Sequence, residues 1–142
     1  SIRNLIGDKE NLKICLIEDD ESLRFTIKEI LEKQNVQIME AENGKVGIEI
    51  LHSEEIKPDL ILLDLMMPVM NGFEFLKVIR ETELNSIPIL VLTGAELSDD
   101  EKKFLSGETQ RILEKSEDTM STIVNEVSNV VKASSFKNGD NK

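Results

Sequence analysis

At 142 residues, with 39% hydrophobic and 32% charged side chains, the chain has the size and balance of one soluble domain with a substantial core. A formal charge of −11 and the lack of Trp and Tyr argue against a nucleic-acid binder, which needs a basic footprint or stacking platforms. The apolar runs are too short to span a bilayer, no signal peptide opens the chain, and the single Cys15 forbids an internal disulfide and fits a cytoplasmic setting.

Residues 1–11 read as a linker or a remnant of a neighbouring unit, and a domain is expected over residues 12–133. Lys13-Ile14-Cys15-Leu16-Ile17 predicts a strand that ends on Glu18-Asp19-Asp20-Glu21. Leu23, Ile27, Ile30 and Leu31 recur at helical spacing, so a helix is expected over residues 21–34. Residues 36–41 offer a second strand, closed by Asn43-Gly44. Val46, Ile50 and Leu51 mark a helix ending near Glu54, with Pro58 beyond it.

Residues 60–63 form an unbroken apolar run of strand length, as expected of a strand buried on both faces of a parallel sheet. The run ends on Asp64, and Pro68 and Asn71-Gly72 forbid it to continue. Phe73, Leu76 and Ile79 give a third helix over about residues 72–82. Residues 89–92 are a second continuous apolar strand, ending on Thr93-Gly94. Ser98 followed by Asp99, Asp100 and Glu101 is a helix start, though only Phe104 and Leu105 are apolar before Gly107. Arg111-Ile112-Leu113 is a short strand ending at Glu114-Lys115. Ile123, Val127, Val130 and Val131 form the stripe of a last helix, after which residues 134–142 are expected to be a flexible tail.

Five strands alternating with five helices predict an α/β fold: a parallel sheet covered on both faces, doubly wound, in the order 2-1-3-4-5. In that order Glu18, Asp19, Asp64, Thr93 and Lys115 all fall at the C-terminal edge of the sheet, where such folds bind ligands. Three carboxylates brought together must either keep a proton or share a cation. Two charges about 4 Å apart repel by about 4 kcal/mol at an effective dielectric of about 20. Oxygen ligands without His or Cys favour Mg²⁺ or a similar ion, and the loop after Asp64 could add the backbone carbonyl of Met66. A carboxylate beside such an ion, a Lys and a Thr hydroxyl is arranged to receive a phosphoryl group, with Asp64 as nucleophile. Each residue also has a plainer reading. Acids before a helix often only cap it, a strand-end Thr is often only a β-former, and a lone Lys is often only solvated.

The sequence resembles the receiver domain of two-component response regulators over residues 12–133. The resemblance is carried by Ile17-Glu18-Asp19-Asp20, by Asp64-Leu65-Met66-Met67-Pro68 with Asn71-Gly72, by Val91-Leu92-Thr93-Gly94 and by Leu113-Glu114-Lys115. It implies the flavodoxin-like receiver fold and a phosphoacceptor role for Asp64, supplied by a histidine kinase, a phosphotransfer protein or a small phosphodonor. It also implies a Mg²⁺ set of Glu18, Asp19, Asp64 and the Met66 carbonyl, with Asp19 as direct ligand and Glu18 acting through water, and with Thr93 as switch hydroxyl and Lys115 pairing with the phosphate. A cytoplasmic monomer or weak dimer is expected, acting as a phosphorylated acceptor and not as a turnover enzyme. No contact with membrane or nucleic acid is expected.

Two positions depart from the family pattern. Ile112 stands where an aromatic residue is usual, and Ser116 stands where a Pro usually follows the Lys. A cis bond before a residue other than Pro costs about 2.5–4 kcal/mol, so a trans Lys115–Ser116 junction with a rearranged loop is expected. A Lys-Ser junction and a weak fourth helix are similar to receivers fused to hybrid histidine kinases, and the missing initial Met fits a segment of a longer protein. Two alternatives stay open: a pseudo-receiver that binds partners without phosphorylation, and an Asp-nucleophile phosphatase, which would want an acid where Met66 stands. His52, the only histidine, is expected on the surface of the second helix.

Overall fold

A computed structural model describes residues 11–53, 55 and 57–140. Residues 1–10 of the expected linker, and Glu54 at the expected end of the second helix, lie outside the described residues. Five strands, β1 (Lys13–Ile17), β2 (Gln37–Ala41), β3 (Leu60–Asp64), β4 (Ile89–Thr93) and β5 (Arg111–Glu114), alternate with five helices. The helices are α1 (Glu21–Glu32), α2 (Gly44–Ser53), α3 (Gly72–Arg80), α4 (Asp99–Glu108) and α5 (Glu117–Asp140). All four strand pairings are parallel, and the sheet order is β2-β1-β3-β4-β5, as the alternation of elements predicts.

The two-residue period of the strands sorts the core into two layers. Cys15, Ile17, Ile61, Leu63 and Val91 face one way and pack with Leu51 of α2, Phe75, Leu76 and Ile79 of α3 and Leu105 of α4. Ile14, Leu16, Leu60, Leu62, Leu90 and Leu92 face the other way, against Ile27 and Leu31 of α1 and the Ile123, Val127, Val130, Val131 stripe of α5. β3 and β4 are buried along their whole length, whereas β2 and β5 at the edges alternate buried and exposed positions. Cys15 lies wholly within the first layer, and burial pushes its thiol up to about 12, so it behaves as a small hydrophobe.

Helix starts follow local chemistry. Asn71 and Ser98 each accept a backbone N–H three residues on, and Glu74 and Glu101 return the bond to the cap, closing two capping boxes. A 3₁₀ turn at Glu83–Ser86, capped by Thr82, follows α3 and was not anticipated from periodicity. α5 continues to Asp140, so helical backbone occupies most of the stretch expected to be a flexible tail. No peptide bond among the described residues is cis, so Lys115–Ser116 is trans as expected. Val69, in the loop after β3, holds φ at 69°, a left-handed conformation that costs a branched side chain roughly 1–2 kcal/mol.

Candidate functional site

The site is built where β1, β3, β4 and β5 run out. Glu18 extends the pairing of β1 by donating its N–H to the Ala41 carbonyl at 3.0 Å. Its side chain turns inward and is 1% exposed, while Asp19 beside it faces solvent. Capping of α1 falls to the third acid: Asp20 Oδ1 accepts the Leu23 N–H at 3.0 Å. The plain capping role therefore belongs to Asp20, which leaves Glu18 and Asp19 for the edge. Asp64 closes β3 at 2% exposure, and the loop behind it folds back as Gly72 donates its N–H to the Leu65 carbonyl at 2.9 Å.

Lys115, one residue past β5, reaches across to both buried acids. Its Nζ lies 3.0 Å from Glu18 Oε1 and 3.1 Å from Asp64 Oδ1. Carboxylate oxygens of Glu18, Asp19 and Asp64 all lie within 4.8 Å of one another. Glu18 Oε2 accepts the Asp20 N–H at 3.1 Å, and the Met66 N–H approaches Asp64 Oδ1 at 3.4 Å. Asp64 Oδ2 is buried and has no hydrogen-bond partner. Thr93, buried at the end of β4, accepts the Ala95 N–H on its Oγ1 at 3.1 Å and the Lys115 N–H on its carbonyl at 2.9 Å. Together with Leu97, Lys102, Ser106 and Ile112 it lines a cavity of about 950 Å³ that reaches Lys115. Among the predicted site residues, Glu18, Asp19, Asp64 and Lys115 converge. Thr93 adjoins Lys115 through the backbone, and Met66 sits two residues past Asp64 with its side chain exposed. His52 is exposed in the last turn of α2, as expected.

The charges do not balance. Burial, and secondarily the charge of Asp64, pushes the Glu18 carboxyl up to about 7, against the bonds from the Asp20 N–H and Lys115. Burial likewise raises Asp64, outweighing the pull of Lys115, and the neighbouring Asp19 carboxyl adds to the rise. For Lys115 burial works downward, but Glu18 and Asp64 outweigh it and hold the ammonium above its ordinary value. Three hard carboxylates against one ammonium, with a buried orphan oxygen and no His or Cys in the group, fit a divalent cation such as Mg²⁺.

A pH dependence follows. The folded chain holds a proton on Glu18 up to about pH 7, whereas the unfolded chain releases it near 4.5. Stability from this group is therefore full below the lower value and lost as pH rises through the higher one. Without divalent ions, wild type should gain several degrees of melting temperature relative to Glu18→Gln on going from pH 8 to pH 5. A difference that stays flat across that range would contradict the assignment.

Arg24 was not foreseen. It donates from Nη1 to the Glu18 carbonyl at 2.8 Å and from Nε to Glu40 Oε1 at 3.2 Å, fastening the acidic loop to the end of β2. Its place one turn into α1 gave a weak signal, since a basic residue on an amphipathic helix is commonplace.

The model of the response regulator receiver domain family matches residues 14–128. Histidine kinase P4 of Formosa agariphila is 39% identical over 95 residues, which cover 66% of this chain and 7% of the kinase. Transcriptional regulatory protein CpxR of Escherichia coli K12 is 36% identical over 85 residues, covering 60% of this chain and 35% of the regulator. Among solved structures, the phosphorylated cyanobacterial phytochrome response regulator RcpA is similar, with a TM-score of 0.67 and 26% identity. That likeness covers 87% of this chain and 90% of RcpA. No helix among the described residues is long and apolar enough to cross a membrane.

Proposed function

Because the chain belongs to the response regulator receiver domain family, we propose that it accepts a phosphoryl group on Asp64 in a two-component phosphorelay. The donor is a phosphohistidine of a histidine kinase or phosphotransfer protein, or a small phosphodonor. An Asp64 oxygen attacks phosphorus and the donor's bond to phosphorus breaks: in phosphohistidine or phosphoramidate the departing nitrogen takes up a proton, and in an acyl phosphate the leaving group departs as a carboxylate. The product on this chain is an acyl phosphate. One observation carries the reading: Lys115 bridges Glu18 and Asp64 while the second oxygen of Asp64 is buried without a partner.

Each residue has a task. Glu18, Asp19 and Asp64, with the Met66 carbonyl, would hold Mg²⁺, which supplies neutralisation of the phosphoryl oxygens. Lys115 already lies within reach of Asp64 and pairs with the incoming group. Burial of Asp64 makes it a more basic carboxylate, which favours attack once it is ionised. Thr93 turns its hydroxyl from the Ala95 N–H toward the phosphoryl group, which carries about −1.5 to −2 charge. That turn frees the loop after β4 and alters a partner-binding surface. The chain acts as an acceptor in the cytoplasm, and its similarity to a histidine kinase supports an origin in a hybrid histidine kinase.

Incubation with Mg²⁺ and phosphoramidate, followed by intact mass measurement, tests the reading. The chain should gain one phosphoryl group, and none when EDTA removes the metal. No gain under either condition, or an equal gain under both, would overturn it.

A further inference from the structure

The geometry points to Ser116 and Thr119 as positioning residues that aim Lys115. This inference rests on the phosphoacceptor reading for its consequence, but its structural content stands apart from it. Lys115 occupies the single step between the end of β5 and the start of α5. Its own N–H is fixed to the Thr93 carbonyl at 2.9 Å. On one side of it the Glu114 carbonyl accepts the Thr119 hydroxyl. On the other side Ser116 caps α5: its Oγ accepts the Thr119 N–H at 3.1 Å, and its carbonyl accepts the Met120 N–H at 3.2 Å.

The two hydroxyls lie 2.9 Å apart. A hydroxyl has one proton to give, and that of Thr119 goes to Glu114. Ser116 therefore donates to Thr119, and the chain runs Ser116 to Thr119 to the Glu114 carbonyl, each bond polarising the next. This relay closes a ring of backbone around Lys115, so the root of the side chain is fixed before and after it. Past the root the stem runs beside Gly94, where an added Cβ would stand 3.6 Å from Lys115 Cδ. A lysine has a flexible stem and no fork to orient its charge, so a fixed root is what brings Nζ within 3.0 and 3.1 Å of two acids.

Thr119→Val removes the relay at nearly constant shape, and Thr119→Ser restores the hydroxyl. At saturating Mg²⁺, Thr119→Val should take up phosphoryl from phosphoramidate roughly tenfold more slowly per folded chain, and Thr119→Ser should match wild type to about twofold. In a Lys115→Ala background, adding Thr119→Val should cost nothing more, because the effect passes through Lys115. Without any donor, the ¹⁵N resonance of the Lys115 ammonium should be slowly exchanging in wild type and Thr119→Ser and lost in Thr119→Val. A retained resonance, or the same loss of rate in the Lys115→Ala background, would overturn the inference. Failure of wild type to take up phosphoryl would sink the phosphoacceptor reading instead, and the ammonium resonance would still decide the positioning.

Discussion

Asp64→Asn is expected to take up no phosphoryl group and, in the same measurement series, to melt at a higher temperature than wild type. The first half follows from chemistry: an amide has no anionic oxygen to attack phosphorus. The second follows from the state of Asp64 in the fold. Its carboxyl is raised above the usual carboxylate range, chiefly by burial, so the charged form is less comfortable folded than unfolded. Stability from that group is present below its unfolded value and lost as pH rises through the folded one, so the deficit grows toward alkaline pH. One of its oxygens is buried with no partner, an omission that costs about 1–3 kcal/mol. Asn keeps the shape, removes the charge and places two donors among the Glu18 and Asp19 carboxylates. A rise of several degrees at pH 8 without divalent ions is expected by thermal unfolding. A variant that melts below wild type would mean that the Lys115 ion pair outweighs burial. The site, on this view, is kept at some expense to the fold.

Gly72→Ala should cause the largest loss of stability from a single methyl. A Cβ at Gly72 would lie 2.6 Å from the Asp64 carbonyl oxygen and 2.8 Å from Leu65 Cα. Both are backbone atoms, so the clash cannot be relieved by a side-chain rotation. Forced overpacking of this kind costs about 1–3 kcal/mol, and here the loop that turns back on Asp64 must move. A displacement of about 1 Å at a reacting group can lower its rate by about 100-fold, so phosphoryl uptake should fall with stability. Gly107→Ala is the matched control. Nothing lies within 4 Å of its added Cβ, and it sits within α4, where Ala is favoured over Gly by about 1 kcal/mol. Thermal melts of the two variants should therefore move in opposite directions. Equal shifts would contradict the close approach at Gly72.

The sheet was legible because its signals are local. Residues 60–63 and 89–92 carry no polar side chain and proved buried throughout, and Asp64 behind the first and Thr93-Gly94 behind the second marked where each strand stops. Convergence of Glu18, Asp19, Asp64 and Lys115 was legible only through topology, because a 2-1-3-4-5 order leaves a single edge to share. What escaped depends on contacts that no period encodes. Arg24 fastens the acidic loop through a carbonyl six residues away, and Val69 takes a positive φ inside a tight turn in which the Met70 N–H bonds the Pro68 carbonyl at 2.8 Å. Ser116 is a different case. Ser116-Glu117-Asp118-Thr119 repeats the cap-then-acid pattern of Ser98, and the Ser116 hydroxyl caps α5 as that of Ser98 caps α4, at a position where the family pattern has Pro. The end of α5 escaped because its apolar stripe stops at Val131, whereas the helical backbone goes on to Asp140.

The residue on which the phosphoryl group lands distinguishes Asp64 from its acidic neighbours. The labelled chain should be reduced with borohydride, which converts an acyl phosphate to an alcohol, and then cleaved and read by tandem mass spectrometry. Modification at Asp64 alone, and only when Mg²⁺ was present during labelling, is the predicted result. Modification at another carboxylate such as Asp19 or Glu18, or at Asp64 regardless of metal, would contradict it.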